Sequence, residues 1–237
     1  MNPKISEITL ERDLHLCDRE MREFLADPAV LQYAVEPRIT AVEVVMIYEK
    51  GSLRSASSQT GPVTSSVKTI LTVPLTFVPL RKERTVPDYL EIMADVYMET
   101  EPFARLNQDR AAKILPCFPD PKAAVEDSLL QTDPRISAKR PLNYFCSGAE
   151  KKPDLQAATY YELMVAVQEL GLRVNRRHIK LGNGIHEVID HCQRLRTEKR
   201  TLPYPVEGAL IRVNSLDLQA KLTHASGNWR GKVVFRF

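Results

Sequence analysis

Residues 41–56 constrain the fold most, because they have the pattern of two short strands joined by a tight turn. Residues 41–48 are apolar and rich in β-branched side chains, Glu49-Lys50-Gly51 carries turn signals, and residues 52–56 return. This pattern predicts a β-hairpin and therefore an antiparallel sheet. Further strands are predicted at 69–78, 89–98, 142–146, 209–214 and 232–237.

Helical periodicity alternates irregularly with these strands. It predicts helices at 11–25, 102–113, 121–131, 156–170, 187–199 and 215–222. Residues 57–66 are polar and predict a loop. Because helices and strands are interspersed without strict βαβ alternation, the chain is predicted to be an α+β protein with mostly antiparallel sheets.

Bulk properties exclude several classes of protein. The net charge of +3, from 33 basic and 30 acidic residues, is too small to indicate nucleic-acid binding by itself. No apolar run has the length of a membrane span, and the first 20 residues lack a signal-peptide core. We therefore expect no membrane partner.

The four cysteines are scattered and contain no Cys-x-x-Cys pair, which favours a reduced cytoplasmic setting and makes a zinc ribbon improbable. His186 and His191 are five residues apart on a predicted helix and face different directions, so we expect no metal site there.

Residues 35–41 have the sequence Val-Glu-Pro-Arg-Ile-Thr-Ala and open a series of ordered blocks. The others lie at 45–53, 90–97, 118–124, 133–142, 206–214 and 229–237. Together they resemble the adenylation domain of bacterial NAD-dependent DNA ligases over nearly the whole chain. The best block, 133–142, follows the family's DPRITAKRPL at all but one position.

This resemblance implies a nucleotidyltransferase fold, in which two antiparallel sheets flanked by helices hold a nucleotide between them. It implies a single adenylation-like domain over residues 1–237. We expect the family's NMN-binding, OB-fold, zinc-finger, helix-hairpin-helix and BRCT domains to be absent.

The family's reactive motif is Glu-x-Lys-x-Asp-Gly, whose lysine amine attacks the cofactor. Here the lysine, aspartate and glycine positions hold Arg38, Thr40 and Ala41. A guanidinium stays protonated and is a poor nucleophile. The resemblance implies that Arg212 and Arg236 also replace lysines, so positive charge is retained where nucleophilicity is lost. No other lysine is identified as a substitute.

Other departures lie in the same predicted cleft. The resemblance sets Asp95 at a ribose-binding glutamate, Glu207 at an aspartate and Lys122 at an arginine, and it shortens a glycine-rich loop to residues 57–62. The predicted nucleotide or phosphate cleft consists of Glu36, Arg38, Asp95, Lys122, Glu207, Arg212 and Arg236. Either the cleft still receives an anion, or its arginines pair internally with Glu36, Asp95 and Glu207.

Two basic clusters lie outside this cleft. The first contains Arg173, Arg176, Arg177, His178 and Lys180, and the second contains Arg194, Arg196, Lys199 and Arg200. Each fits either a nucleic-acid surface or an ordinary solvated surface.

Three functional hypotheses follow. The first is a pseudoenzyme that forms no lysyl-AMP and binds a nucleotide (NAD, AMP or ATP, without a covalent bond), DNA or a protein partner. The second is a residual nucleotidyltransferase or nucleotide hydrolase without a covalent lysyl-AMP. The third is a purely structural assembly component.

Overall fold

The computed structural model describes residues 6–26, 30–59, 61–63, 87–150, 155–223 and 231–237. The strand predicted at 69–78 lies outside these ranges. The described residues contain two five-stranded sheets with helices, which confirms the predicted α+β class.

The first sheet has the strand order β1-β10-β9-β2-β8. Its strands are β1 (Ser6–Ile8), β2 (Gln32–Ile39), β8 (Lys180–Asn183), β9 (Val206–Val213) and β10 (Lys232–Arg236). The pairs β10–β9, β9–β2 and β2–β8 are antiparallel, but β1 pairs with β10 in parallel. This one parallel pair is compatible with the prediction of mostly antiparallel sheets. These two strands come from distant parts of the chain, so no hairpin fixes their relative direction.

The second sheet has the order β5-β4-β3-β6-β7. Its strands are β3 (Val42–Glu49), β4 (Ser52–Ser58), β5 (Gly61–Pro62), β6 (Tyr89–Met98) and β7 (Leu142–Glu150). The predicted β3–β4 hairpin is confirmed, and Lys50 and Gly51 make its turn at φ 47° and 77°. The loop predicted from residue 57 begins too early, because Ser57 and Ser58 still pair with Val45 and Val44.

The helices are α1 (Glu11–Leu25), α2 (Thr100–Ala112), α3 (Pro121–Leu130), α4 (Pro134–Ser137), α5 (Tyr160–Glu169), α6 (Ile185–Glu198) and α7 (Leu216–Thr223). The helix predicted at 156–170 starts later, at Tyr160, and has 10 residues. Its start is fixed by a capping box: the Thr159 hydroxyl accepts the Glu162 N–H, and the Glu162 carboxylate accepts the Thr159 N–H. None of the described helices is long and apolar enough to cross a membrane.

Two apolar clusters form the cores. One joins α1 and α6 to one face of the first sheet, and the other joins α3 and α5 to one face of the second sheet. Only Thr40 and Ala41 connect β2 to β3, and the Thr40 N–H donates to the Pro205 carbonyl at 2.9 Å. This short connection joins the two sheets close to Arg38.

Candidate nucleotide cleft

The polar residues of the first sheet lie on the face opposite α1 and α6. Val35, Ile211 and Val233 pack beneath those helices. Successive side chains of a strand point to opposite faces, so their neighbours in sequence share the other face. That face carries Glu36 and Arg38 of β2, Arg212 of β9, and Lys232 and Arg236 of β10.

Strand register arranges these side chains in rows. Arg212 lies between Ala34 on β2 and Lys232 on β10, so the cations Arg212 and Lys232 are direct cross-strand neighbours. Arg38 lies opposite Gly208, which in turn lies opposite Arg236. A Cβ at Gly208 would overlap the Phe235 carbonyl oxygen, so the bare backbone allows β9 and β10 to approach closely at this point.

A buried ion pair lies in the middle of this face. The Arg212 Nη2 donates to Glu36 Oε1 at 2.6 Å, and the two side chains are only 9% and 11% exposed. The Tyr160 hydroxyl, from the first turn of α5, donates to the same carboxylate at 3.0 Å. The Arg212 guanidinium carbon lies 4.1 Å from the centre of the Tyr160 ring. Among the described residues, however, the Arg212 Nε has no partner.

The second sheet contributes acidic groups. Glu43 of β3 and Asp95 of β6 are register partners, so their side chains lie on the same face of that sheet. The pKa of the Asp95 carboxyl is raised to about 6, mainly by burial. The negative charges of Glu36 and Glu43 also raise this pKa, whereas the positive charges of Arg38 and Arg212 lower it. These mutual effects indicate that acids and cations from both sheets lie close together.

Arg38 and Lys232 differ from Arg212 in having no salt bridge within the part of the chain that the structure describes. Both are half-buried. Burial lowers the pKa of the Lys232 ammonium, as do the neighbouring Arg212 and Arg38, whereas Glu43 and Glu150 raise it. Arg38 and Lys232 therefore lack a carboxylate partner within bonding distance among the described residues.

Arg236 is neutralised at the margin of the site. It contacts Glu7 at 2.7 Å and Glu207 at 3.2 Å. The sequence left open whether the arginines pair internally. Two of them do, since Arg212 pairs with Glu36 and Arg236 pairs with Glu207. Arg38 and Asp95 interact electrostatically, but they form no salt bridge among the described residues.

Lys122 and the block at 133–142 belong to other parts of the chain. Lys122 is exposed in the first turn of α3, and no described contact joins it to the cleft. In the block at 133–142, Arg135 pairs with Asp133 and Arg140 pairs with Asp127 at 3.0 Å, contacts that fix the segment between α3 and β7. The described residues contain no cluster of three or more His, Cys, Asp or Glu that could hold a metal ion.

Comparison with known proteins identifies the family of this fold. A family model described as NAD-dependent DNA ligase adenylation domain matches residues 7–237. The chain belongs to this adenylation-domain family. The family resemblance read from the ordered blocks is thereby confirmed.

Individual relatives of this adenylation domain are curated DNA ligases. The DNA ligase of Carboxydothermus hydrogenoformans is 34% identical over 230 residues, which cover 95% of this chain and 33% of that protein. The DNA ligase of Syntrophotalea carbinolica is 31% identical over 232 residues, covering 96% of this chain and 34% of that protein. The chain thus spans about a third of the length of these relatives.

Among solved structures, the adenylation domain is similar to a putative ATP-dependent DNA ligase from Aquifex aeolicus. The TM-score is 0.46 at 16% identity, over 89% of this chain and 45% of that one.

Sequence reasoning missed Lys232, Glu43 and Tyr160 as cleft residues. For Lys232 the signal was present, because it is four residues before Arg236 on a predicted strand and therefore shares its face. Tyr160 is buried as a core residue would be, but its hydroxyl reaches across to the first sheet.

Proposed function

We propose that this adenylation domain forms no lysyl-AMP and binds a nucleotide non-covalently in the cleft between its two sheets. The observation that carries the proposal is that Arg38 and Lys232 lack salt-bridge partners in the described structure while Arg212 and Arg236 have them. A phosphate group is the natural partner of such cations, because guanidinium and phosphate form two parallel charge-assisted hydrogen bonds.

The scattered free cysteines support a cytoplasmic location.

The absence of a lysine at position 38 supports loss of covalent chemistry. Adenylation requires an amine that loses its proton and attacks the α-phosphorus, and a guanidinium does not provide one at working pH. Thr40 and Ala41 depart from the same motif, so the change extends beyond the nucleophile.

The binding half of the proposal is tested by thermal unfolding with NAD, ATP and AMP. A ligand at about ten times its Kd stabilises the folded state by about 1.4 kcal/mol, which corresponds to a rise in Tm of about 3–6 °C for a chain of this size. Arg38→Gln should abolish that rise, whereas Lys113→Gln, an exposed charge change at the end of α2, should preserve it. Equal shifts in both variants, or no shift in the wild type, would contradict nucleotide binding in the cleft.

The chemical half is tested by intact mass after incubation with NAD or ATP and a divalent cation. The wild type should gain no AMP. Arg38→Lys extends the test, because an adduct in that variant alone assigns the loss to position 38. An AMP adduct on any residue of the wild type would overturn the proposal.

Lys232 favours a second candidate function, in which nucleotidyl transfer survives through a different lysine. Its lowered pKa leaves more of the amine unprotonated, and it lies on the same face as Arg38. The amine would form an N–P bond with the α-phosphorus of NAD, lose a proton and expel nicotinamide mononucleotide with the bonding electron pair. Peptide mapping decides between the two candidates, since an adduct at Lys232 that disappears in Lys232→Gln supports the second and refutes the first.

A further inference from the structure

A second concave basic site lies on the other side of the first sheet. It is a cavity of about 390 Å³ lined by Val35, Arg177, His178, Lys180, His191, Arg194, Leu195 and Glu198. We refer to it as the outer basic groove. The volume is within the range of small-ligand sites.

The outer basic groove is separate from the nucleotide cleft. Val35 lines it, and Val35 packs with the α1 and α6 cluster. Glu36, the next residue of β2, bonds Arg212 and Tyr160 on the opposite face of the sheet. The two sites therefore open on opposite faces, and one can be altered without touching the other.

Three different elements supply the charges of the groove. Arg177 lies in a short 3-10 turn at 176–178, Lys180 begins β8, and Arg194 lies on α6. The two basic clusters of the sequence thus meet at one place. Other members of these clusters have partners elsewhere: Arg173 donates to Asn143 at 2.8 Å, Arg176 to Gln168 at 3.4 Å and Lys199 to the Phe237 carbonyl at 2.8 Å.

The positive charge of the groove is not neutralised within the described structure. Arg177, Lys180 and Arg194 form no salt bridge or side-chain hydrogen bond there, and Glu198 is the one carboxylate among the described lining residues. Burial lowers the pKa of the His178 imidazole, and Lys180 and Arg177 act in the same direction against Glu198. Cations that converge on a concave surface repel one another, and an anion bound between them relieves that repulsion.

We propose that the outer basic groove is a phosphate-binding site that takes a phosphate of a nucleic-acid backbone. Two guanidinium groups and an ammonium offer donors from two sides, which suits a phosphodiester. A free phosphate compound shares this chemistry, and the experiment separates the two sources.

The test measures binding of a fluorescent DNA duplex by anisotropy over a range of salt concentrations, and binding of inorganic phosphate and AMP by calorimetry. Each neutralised phosphate contributes about −0.9 to the slope of log K against log salt. Arg177→Gln and Arg194→Gln should each weaken duplex binding about tenfold and reduce the slope by about one. Arg196→Gln is the matched control, because it makes the same charge change at an exposed position of the same helix, outside the groove lining.

The outcomes are distinct. Duplex binding that falls in both groove variants but not in the control supports a backbone phosphate. Binding of inorganic phosphate or AMP that is lost in the same variants, without duplex binding, supports a phosphate site but refutes the nucleic-acid source. Groove variants that bind every probe as the wild type does, or a wild type that binds none, overturn the proposal. Nucleotide stabilisation through Arg38 is measured separately and is unaffected by either result.

Discussion

The buried contact between Arg212 and Glu36 offers a sharp test of how the cleft is held together. Replacing Glu36 by alanine leaves a guanidinium that is 9% exposed without its 2.6 Å partner. It also removes the acceptor of the Tyr160 hydroxyl. Breaking a buried pair by removing one partner costs about 3–5 kcal/mol, because an uncompensated charge stays buried. The Arg212 Nε already has no hydrogen-bond partner among the described residues, so it does not offset the loss of Glu36.

Urea unfolding of Glu36→Ala should therefore show a free energy of unfolding about 3–5 kcal/mol below that of the wild type. For a chain of this length the Tm should fall by about 6–20 °C. Tyr160→Phe keeps the ion pair and loses one hydrogen bond to it, so it should cost about 1–2 kcal/mol.

An exposed pair provides the control. Asp217 and Lys221 on α7 lie 2.7 Å apart, but their side chains are 75% and 59% exposed. Asp217→Ala should change the free energy of unfolding by no more than about 0.5 kcal/mol. In a double-mutant cycle, adding Arg212→Ala to Glu36→Ala should cost less than the sum of the two single changes. A cost for Glu36→Ala as small as that for Asp217→Ala would refute the assignment of a buried, mutually dependent pair.

Three further predictions concern other parts of the molecule. The pKa of Asp95 is raised from 3.8 to about 6, so the folded state binds the Asp95 proton more tightly than the unfolded state does. The stability of the wild type should therefore fall relative to that of Asp95→Asn as the pH rises from 4 to 6. Urea unfolding across that range should show an advantage for Asp95→Asn that is absent below pH 4 and reaches at most about 3 kcal/mol above pH 6; a pH-independent difference would contradict it. Gly208→Ala should destabilise the fold by about 2–4 kcal/mol, because its Cβ overlaps the Phe235 carbonyl oxygen, and unchanged thermal unfolding would show that β10 yields at this point. Cys117 is exposed whereas Cys17, Cys146 and Cys192 are buried, so a thiol reagent should modify one cysteine rapidly, and Cys117→Ser should remove that fast phase.

Much of the fold was accessible from the sequence because its signals are local. The β3–β4 hairpin follows from β-branched runs around a glycine turn, and α7 begins after Ser215, whose hydroxyl accepts the Leu218 N–H as a cap should. Sequence signals failed where tertiary contacts decide how a strand pairs or where it ends. The parallel pairing of β1 with β10 joins strands that are distant in sequence. The polar residues Ser57 and Ser58 predict a loop, but they continue the hairpin by pairing with β3.

The site was predicted less completely for a related reason. Motif resemblance selects residues that occupy known positions, so it selected Glu36, Arg212 and Arg236 but not Lys232. Lys122, which was selected by a motif position, is exposed in the first turn of α3 and stays a prediction. The outer basic groove joins Arg177 and Arg194, which are 17 residues apart, and only the packing of α6 beside β8 brings them together.

The three predicted lysine-to-arginine changes are not equivalent once the geometry is known. Arg212 is held by Glu36 and Tyr160, and Arg236 by Glu7 and Glu207, so both are already engaged in holding the protein itself. An incoming phosphate would have to compete with those carboxylates for either guanidinium. Arg38 and Lys232 have no such competitor within bonding distance in the described structure. Retained positive charge therefore serves the folded state at two positions. In the proposed function, an anion in the cleft would be bound by Arg38 and Lys232, which lie on the same face of the first sheet.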